Sequence, residues 1–489
     1  MLRILQASLI YRVIAAVAAA FGGQWRASAI ISRFLAGARV AEGAGVSILT
    51  KLRAFLGAAF RALRLDKLLR GSIFLRPDLW CAATLALSPI IPTLAAAGLA
   101  GVSMLSALLK TGADAAAGNQ PPKRAEHHTA RYAILFAGIY FVSIFTSVTV
   151  SGSLYGGLLQ SFFALFSIVM YVALRDDWRG IMLAVRAFAL SGAAVAGYGI
   201  LQYLRGASGA SGWLDAEMFS GIGLRVYSTL GNPNVLAEYL LLVIPFSAAL
   251  ILTEKRAIAK LVFTGALGAM LLCMALTFAR GGWLGLIIAA AVFLVMLDRR
   301  FILIGIVGLA ALYFLLPDVI ISRFLSIGNL KDGSTSYRVY IWLGTLSMLR
   351  DFWLVGIGPG VTAFNKMYPL YGYNAVAAPH SHNQFLQLVC DAGVTALVIF
   401  VIILFSHLRS LAASIARSTD KTLNYLRIAA ISAMLGFLAQ GVTDYSFYNY
   451  RVTLMFWASV GLGMALSCRD AAIASPELNS DASGNGGAA

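Results

Sequence analysis

Eleven stretches of this sequence are apolar for long enough to cross a lipid bilayer, and that fixes the class of fold before anything else. A spanning helix needs about 20 mostly apolar residues. Such runs occupy 79–109, 132–150, 157–174, 181–201, 234–252, 261–277, 282–297, 301–316, 390–407, 426–441 and 453–468. The first run is 31 residues long and carries Pro89 and Pro92 near its middle. Two prolines three apart break a helix, so this run reads as a hairpin of two short helices. The sequence therefore predicts an all-α polytopic membrane protein with about 12 transmembrane helices.

Composition closes off the other classes. Sixty per cent of the 489 residues are apolar and 12% are charged, against about 25% charged in an ordinary soluble domain. A disordered chain is poor in aromatics, whereas this one has 28 Phe, 19 Tyr and 8 Trp. A disulfide scaffold is short and Cys-rich. Here the four cysteines, Cys81, Cys273, Cys390 and Cys468, fall within or at the ends of spans with no metal-binding spacing. They read as packing residues.

The net charge of +17 is a matter of topology rather than of nucleic acid, which requires basic residues gathered on a folded soluble face. The loops 110–131, 175–180, 253–260, 298–300 and 408–425 hold 14 Lys and Arg in 57 residues. The alternate set, 151–156, 202–233, 278–281, 317–389 and 442–452, holds 9 in 126. Basic residues in short loops stay cytoplasmic, which places the first set and both termini inside and the large loop 317–389 outside. Residues 1–76 carry 12 Lys and Arg against two acids, Glu42 and Asp66, and contain no uniform span. Their first apolar core, 10–21, contains Arg12 and lacks a clear cleavage pattern, unlike a signal peptide. Within them, 51–75 reads as a basic amphipathic helix suited to an anionic inner leaflet. Three regions result: a basic cytoplasmic extension at 1–76, a membrane domain at 77–468, and a polar, disordered tail at 469–489.

Ionisable groups inside a bilayer are expensive and usually functional. Arg186 sits near the cytoplasmic end of its span and can snorkel; Glu238 sits near the outer end of its own. No acid, Lys or His is expected at mid-depth, where an ion-coupled transporter wants one. The polar interest lies in four outer clusters. Arg225 precedes Gly231-Asn232-Pro233-Asn234, which opens a helix; helix capping alone accounts for asparagines there. Thr277-Phe278-Ala279-Arg280-Gly281-Gly282-Trp283 is a tight turn whose Arg is either functional or an interfacial anchor. Ser336-Tyr337-Arg338-Val339-Tyr340-Ile341-Trp342 opens an amphipathic helix running to about Asp351. Pro379-His380-Ser381-His382-Asn383-Gln384 ends a loop and starts a helix, with Asp391-Ala392-Gly393 following. Two His at i and i+2 fit a metal, but a zinc site needs further ligands and none lies nearby in sequence.

In order and spacing these clusters resemble the O-antigen ligase and polymerase family of bacterial membrane glycosyltransferases. The residues that carry the resemblance are Gly-Asn-Pro-Asn at 231–234, Arg-Gly-Gly at 280–282, and Arg338 with Trp342. Gly356-Ile357-Gly358-Pro359-Gly360 follows, then His382-Asn383, Leu386, Asp391 and Gly393. The resemblance covers roughly 79–468 and not the basic extension. The family often has Glu where this chain has Asp391.

The resemblance implies a GT-C-like fold and metal-independent, inverting glycosyl transfer with no cofactor. The donor is a glycan on a polyprenyl (undecaprenyl) pyrophosphate, and transfer occurs at the outer face of the bacterial plasma membrane. The acceptor is a glycan, lipid, protein or wall hydroxyl for a ligase, and the next repeat unit for a polymerase. A lipid-linked glycan flippase is the reading from another class. In the enzymatic reading Arg280 and Arg338 meet the pyrophosphate charge, because guanidinium stays charged and binds phosphate oxygens bidentately. His382 is the general base, since His titrates near neutral pH. Arg225, Asn232, Asn234, Tyr337, His380 and Asn383 are candidates for binding substrate, and Trp342, Tyr368, Tyr371 and Tyr373 for stacking on sugars or for packing.

Overall fold

A computed structural model describes residues 51–119, 127–206, 225–301 and 333–469, apart from positions 52 and 70, with scattered positions between 303 and 322. Among the described residues there is no strand. Thirteen helices matter here: α1 (Pro77–Leu87), α2 (Thr93–Ala116), α3 (His128–Phe145), α4 (Val150–Leu174), α5 (Trp178–Leu204), α6 (Pro233–Thr253) and α7 (Ala257–Leu276). They continue with α8 (Arg280–Leu297), α9 (Gly333–Phe352), α10 (Val361–Met367), α11 (Gln384–Arg417), α12 (Lys421–Gly441) and α13 (Tyr450–Cys468). Ten of these, all but α1, α9 and α10, are long and apolar enough to cross a membrane. The chain is an all-α polytopic membrane protein. The expected hairpin is present as α1 and α2, turning at 88–92 through both prolines, and Thr84 and Ser103 bond across it at 3.0 Å. At 11 residues α1 is too short to span. The expected span 301–316 falls mostly outside the described residues, as do residues 1–50 and the tail from 470.

The helices differ in what covers them. α6 and α13 are buried on nearly every side, whereas α2, α7 and α8 keep broad apolar faces outward for lipid to cover. Small residues set the closest approach: a Cβ on Gly285 of α8 would lie 2.6 Å from the Gly436 carbonyl of α12.

Hydrogen bonds sort the connections into two groups, one at each end of the bundle. At one end Thr229 donates to the Pro89 carbonyl (2.8 Å), Arg451 to the carbonyls of Pro89, Ile91 and Thr229, and Val148 to Ile357 (3.0 Å). At the other, Arg186 pairs with Glu254 (2.6 Å), Arg469 donates to Asp176, and His127 bonds the hydroxyls of Ser410 and Ser467. These are the two loop sets that differ in Lys and Arg content, now at opposite ends. Arg186, expected to snorkel, has Glu254 as a specific partner instead.

Residues 51–76 with 106–119 form a unit of their own. The expected helix over 51–75 is divided. A helix over 53–62 is followed by Arg64, which is left-handed (φ 51°), and by the short helices Leu65–Leu68 and Ile73–Leu75. Phe60 is buried against Gly112, while Phe55, Leu63 and Leu68 face outward.

Candidate functional site

Four of the predicted clusters meet at one end of the bundle, and each is placed by a local feature of its sequence. Asn383 caps α11: its Oδ1 accepts the N–H groups of Phe385 and Leu386, and its Nδ2 donates to the Val442 carbonyl (2.8 Å). That fixes the loop before α11, which carries His380 and His382, beside the turn 442–449. Arg280 opens α8 immediately after a turn in which Phe278 is left-handed (φ 49°). Gly281 permits the next contact, since a Cβ there would lie 2.7 Å from Thr443 Oγ1. α9 lies across this end. Its Thr335 hydroxyl faces Arg280 (3.4 Å), its Arg338 Nε donates to the Thr443 carbonyl (2.8 Å), and its Trp342 indole donates to the His382 carbonyl (3.2 Å). The Tyr337 ring stands edge-on to His382 at 5.7 Å, and its hydroxyl donates to the Ala377 carbonyl.

At the centre is a pair that sequence reading did not find. His382 Nδ1 lies 3.0 Å from Asp444 Oδ1, 62 residues along the chain. A carboxylate only accepts, so Nδ1 is the donor of this pair and Nε2 takes no part in it. Burial works to raise Asp444, but the hydrogen bond and charge of His382 and the charge of Arg338 outweigh it. They hold the carboxyl well below the ordinary range. His382 is left-handed (φ 49°), a conformation that costs a non-glycine residue about 1–3 kcal/mol and persists only where neighbours over-determine it. His380 lies beside it, ring centroids 4.1 Å apart and planes tilted by 50°, and its Nδ1 accepts the His382 backbone N–H (3.1 Å). Burial, with the neighbouring His382, pushes His380 down to about 3, so it is neutral with Nε2–H as a donor.

The remaining candidates frame this pair. Asn234 Nδ2 donates to Asp444 Oδ2 (2.7 Å) and its Oδ1 accepts from Arg225 (2.9 Å), whose Nε reaches the Thr277 carbonyl (2.8 Å). Arg225 is 5% exposed and acts within the protein frame. Asn232 caps α6 by accepting the Asn234 N–H (2.8 Å), with Pro233 in the first turn. Glu238, one turn on, is buried beside Gln440. Tyr368 is fully buried and stacked on Phe364, and Tyr371 donates to Asp351 (2.6 Å), so both pack the cap rather than face outward with Tyr373. Asp444 is a lone acid in a short turn between two spans. That is the signal that finds it, and it becomes meaningful only once the turn is seen to touch the histidine loop.

Among the described residues one group has metal-ligand character: donor atoms of His380, His382 and Asp444 lie within 4.8 Å of one another. A tetrahedral zinc with bonds of about 2.0–2.1 Å keeps its ligand atoms about 3.3 Å apart. The 3.0 Å contact of His382 with Asp444 is a hydrogen bond, and His380 Nδ1 is engaged by a backbone N–H. In this arrangement the set forms a hydrogen-bonded pair with a neutral neighbour.

Residues 265–401 match the family model described as O-antigen ligase, and no curated protein matches the chain. The matched region holds Arg280, Arg338, His380, His382 and Asp391, and the match supports assignment to the O-antigen ligase/polymerase family.

Proposed function

From the match of residues 265–401 to the family model described as O-antigen ligase, we propose that this membrane protein transfers a glycan from a polyprenyl pyrophosphate to an acceptor hydroxyl at the outer face. The observation that carries the reading is the convergence of Arg280 and the His382–Asp444 pair on α9 and its Arg338. The excess of Lys and Arg in the opposite loop set supports the orientation. The acceptor oxygen attacks the sugar C1 while the C1–O bond to pyrophosphate breaks. His382 Nε2 takes the hydroxyl proton, Asp444 steadies the imidazolium that results, and the electron pair leaves on the lipid pyrophosphate. Arg280 and Arg338 meet its charge. His380 Nε2–H suits a sugar hydroxyl oxygen. The guanidinium groups supply the charge that a divalent ion supplies elsewhere, so transfer is metal-independent on this reading.

The test uses membranes carrying the lipid-linked glycan and candidate acceptors. Transfer proceeds in EDTA without added metal. Loss in EDTA and recovery on adding a divalent ion sinks the arginine assignment. One glycan per acceptor identifies a ligase; a ladder of repeats identifies the family's polymerase activity. Reporter fusions after residues 120 and 330 report inside and outside, respectively; the reverse overturns the orientation.

A further inference from the structure

Asp391 follows the histidine loop by nine residues and is 1% exposed, closed off from any substrate by protein on every side. Its carboxylate gathers three side-chain donors, from its own helix, from α3 and from the turn 442–449. Gln387 Nε2 reaches Oδ1 at 2.8 Å, and the hydroxyls of Tyr445 and Tyr140 reach Oδ2 at 3.0 and 3.2 Å. Two of those donors lead directly to the site. Gln387 turns its Oε1 to the Ser381 N–H (2.8 Å), and Ser381 stands between the two histidines. Tyr445 adjoins Asp444, donates its own N–H to Asp444 Oδ1 (2.9 Å), and packs its ring 5.6 Å from His380.

The backbone around Asp391 is built to hold it still. α11 is interrupted at Ala392 and Gly393, the latter at φ 75°. The segment 353–358 fills the gap: Ile357 donates to the Cys390 carbonyl (2.7 Å) and Val394 to the Trp353 carbonyl (2.8 Å). A Cβ on Gly393 would lie 2.0 Å from the Leu354 carbonyl oxygen, so glycine is required there. The glycine-rich stretch 356–360 thus serves as the bed of Asp391.

We infer that Asp391 is the positioning residue of the His382–Asp444 pair, holding His382 through Gln387 and Ser381 and Asp444 through Tyr445. This rests on the reading of that pair as the general base. A carboxylate accepts on both oxygens, as the three donors here require, whereas an amide of the same shape offers one oxygen and presents an NH2 where the other donors point. Slack at both arms lets the strained His382 relax away from the acceptor hydroxyl, and a misplacement of about 1 Å can reduce a rate by roughly 100-fold.

The experiment measures transfer by the full-length protein in membranes, normalised to folded protein. Asp391→Asn lowers kcat about 10- to 100-fold, with donor KM within about twofold. Asp391→Glu, which keeps the carboxylate, recovers more activity than the isosteric Asn. Gln387→Leu reproduces part of the loss, and combining it with Asp391→Asn gives less than the product of the two effects, because both cut one path. Tyr140→Phe, which touches Asp391 from α3 alone, lowers thermal stability and leaves kcat within about threefold. Unchanged kcat in Asp391→Asn while His382→Ala is inactive overturns the positioning role and leaves the base assignment standing. Fully multiplicative losses in the double variant overturn it as well. Activity in His382→Ala removes the reading on which it rests.

Discussion

The two ends of the bundle use the same residue types to opposite ends. At one, His382 and Arg280 are partly exposed and gathered beside Arg338 of α9. At the other, Arg427 is fully buried and donates to the carbonyls of Leu466 and Ser414, where α13 and α11 end. The Ser414 carbonyl also accepts the Ser418 N–H (3.1 Å), and the guanidinium adds a charged donor there and at Leu466, tying the two helix ends together. His127 and His407 are buried beside it: His127 bonds serine hydroxyls, and His407 packs against Gly463. A histidine or arginine in a membrane protein is therefore not in itself a sign of chemistry. What separates the ends is whether charge remains facing a space a substrate can enter.

The contrast breaks down most visibly if the wrong end fails. His382→Ala lowers transfer by roughly 10²–10⁴-fold, the usual contribution of a general base, while thermal stability stays near that of the parent. Comparable loss of folded protein instead makes His382 a structural residue. Next, Arg280→Ala costs about 2–4 kcal/mol of transition-state stabilisation, and Arg280→Lys recovers only part, because an ammonium lacks the bidentate fork. Steady-state rates on membranes check both. Arg427→Ala, by contrast, destabilises the fold by about 3 kcal/mol, since it removes charged hydrogen bonds to buried carbonyls. The rate per folded molecule remains within about twofold, as detergent melting alongside the assay tests.

The smallest effect concerns pH. His380 has a folded value of about 3 against an ordinary 6.5, so between those values the unfolded chain binds a proton that the folded one does not. Stability is then complete above about pH 6.5 and falls as pH drops toward 3. Asp444, held below the ordinary carboxylate range, adds a further loss below about pH 4. Melting temperature against pH should slope less in His380→Gln than in the parent between pH 6.5 and 4. An unchanged slope assigns the acid sensitivity to other groups.

Much of this was open to reading in one dimension because the bilayer imposes it. The spans, the Pro89–Pro92 turn and the asparagine caps at 232 and 383 follow from local rules of length, ring closure and side-chain reach. The amphipathic α9 and the convergence of Arg280, Arg338 and His382 on one end follow from helix parity. What escaped is non-local. Asp444 looks like any short-turn acid until folding brings it to His382. The interruption of α11 is written as Gly393, but its filling by 353–358 is a tertiary event. Tyr368 and Arg225 read as surface candidates by type, and their burial depends on neighbours that no window of sequence contains.

The most direct test is a single-turnover measurement with the lipid-linked glycan bound and excess acceptor, comparing the parent, His382→Ala, Asp444→Asn and Arg427→Ala at equal amounts of folded protein. Loss of the transfer step in the first two variants alone, with donor still bound, is the predicted result. A transfer rate that survives in His382→Ala, or falls equally in Arg427→Ala, contradicts the account.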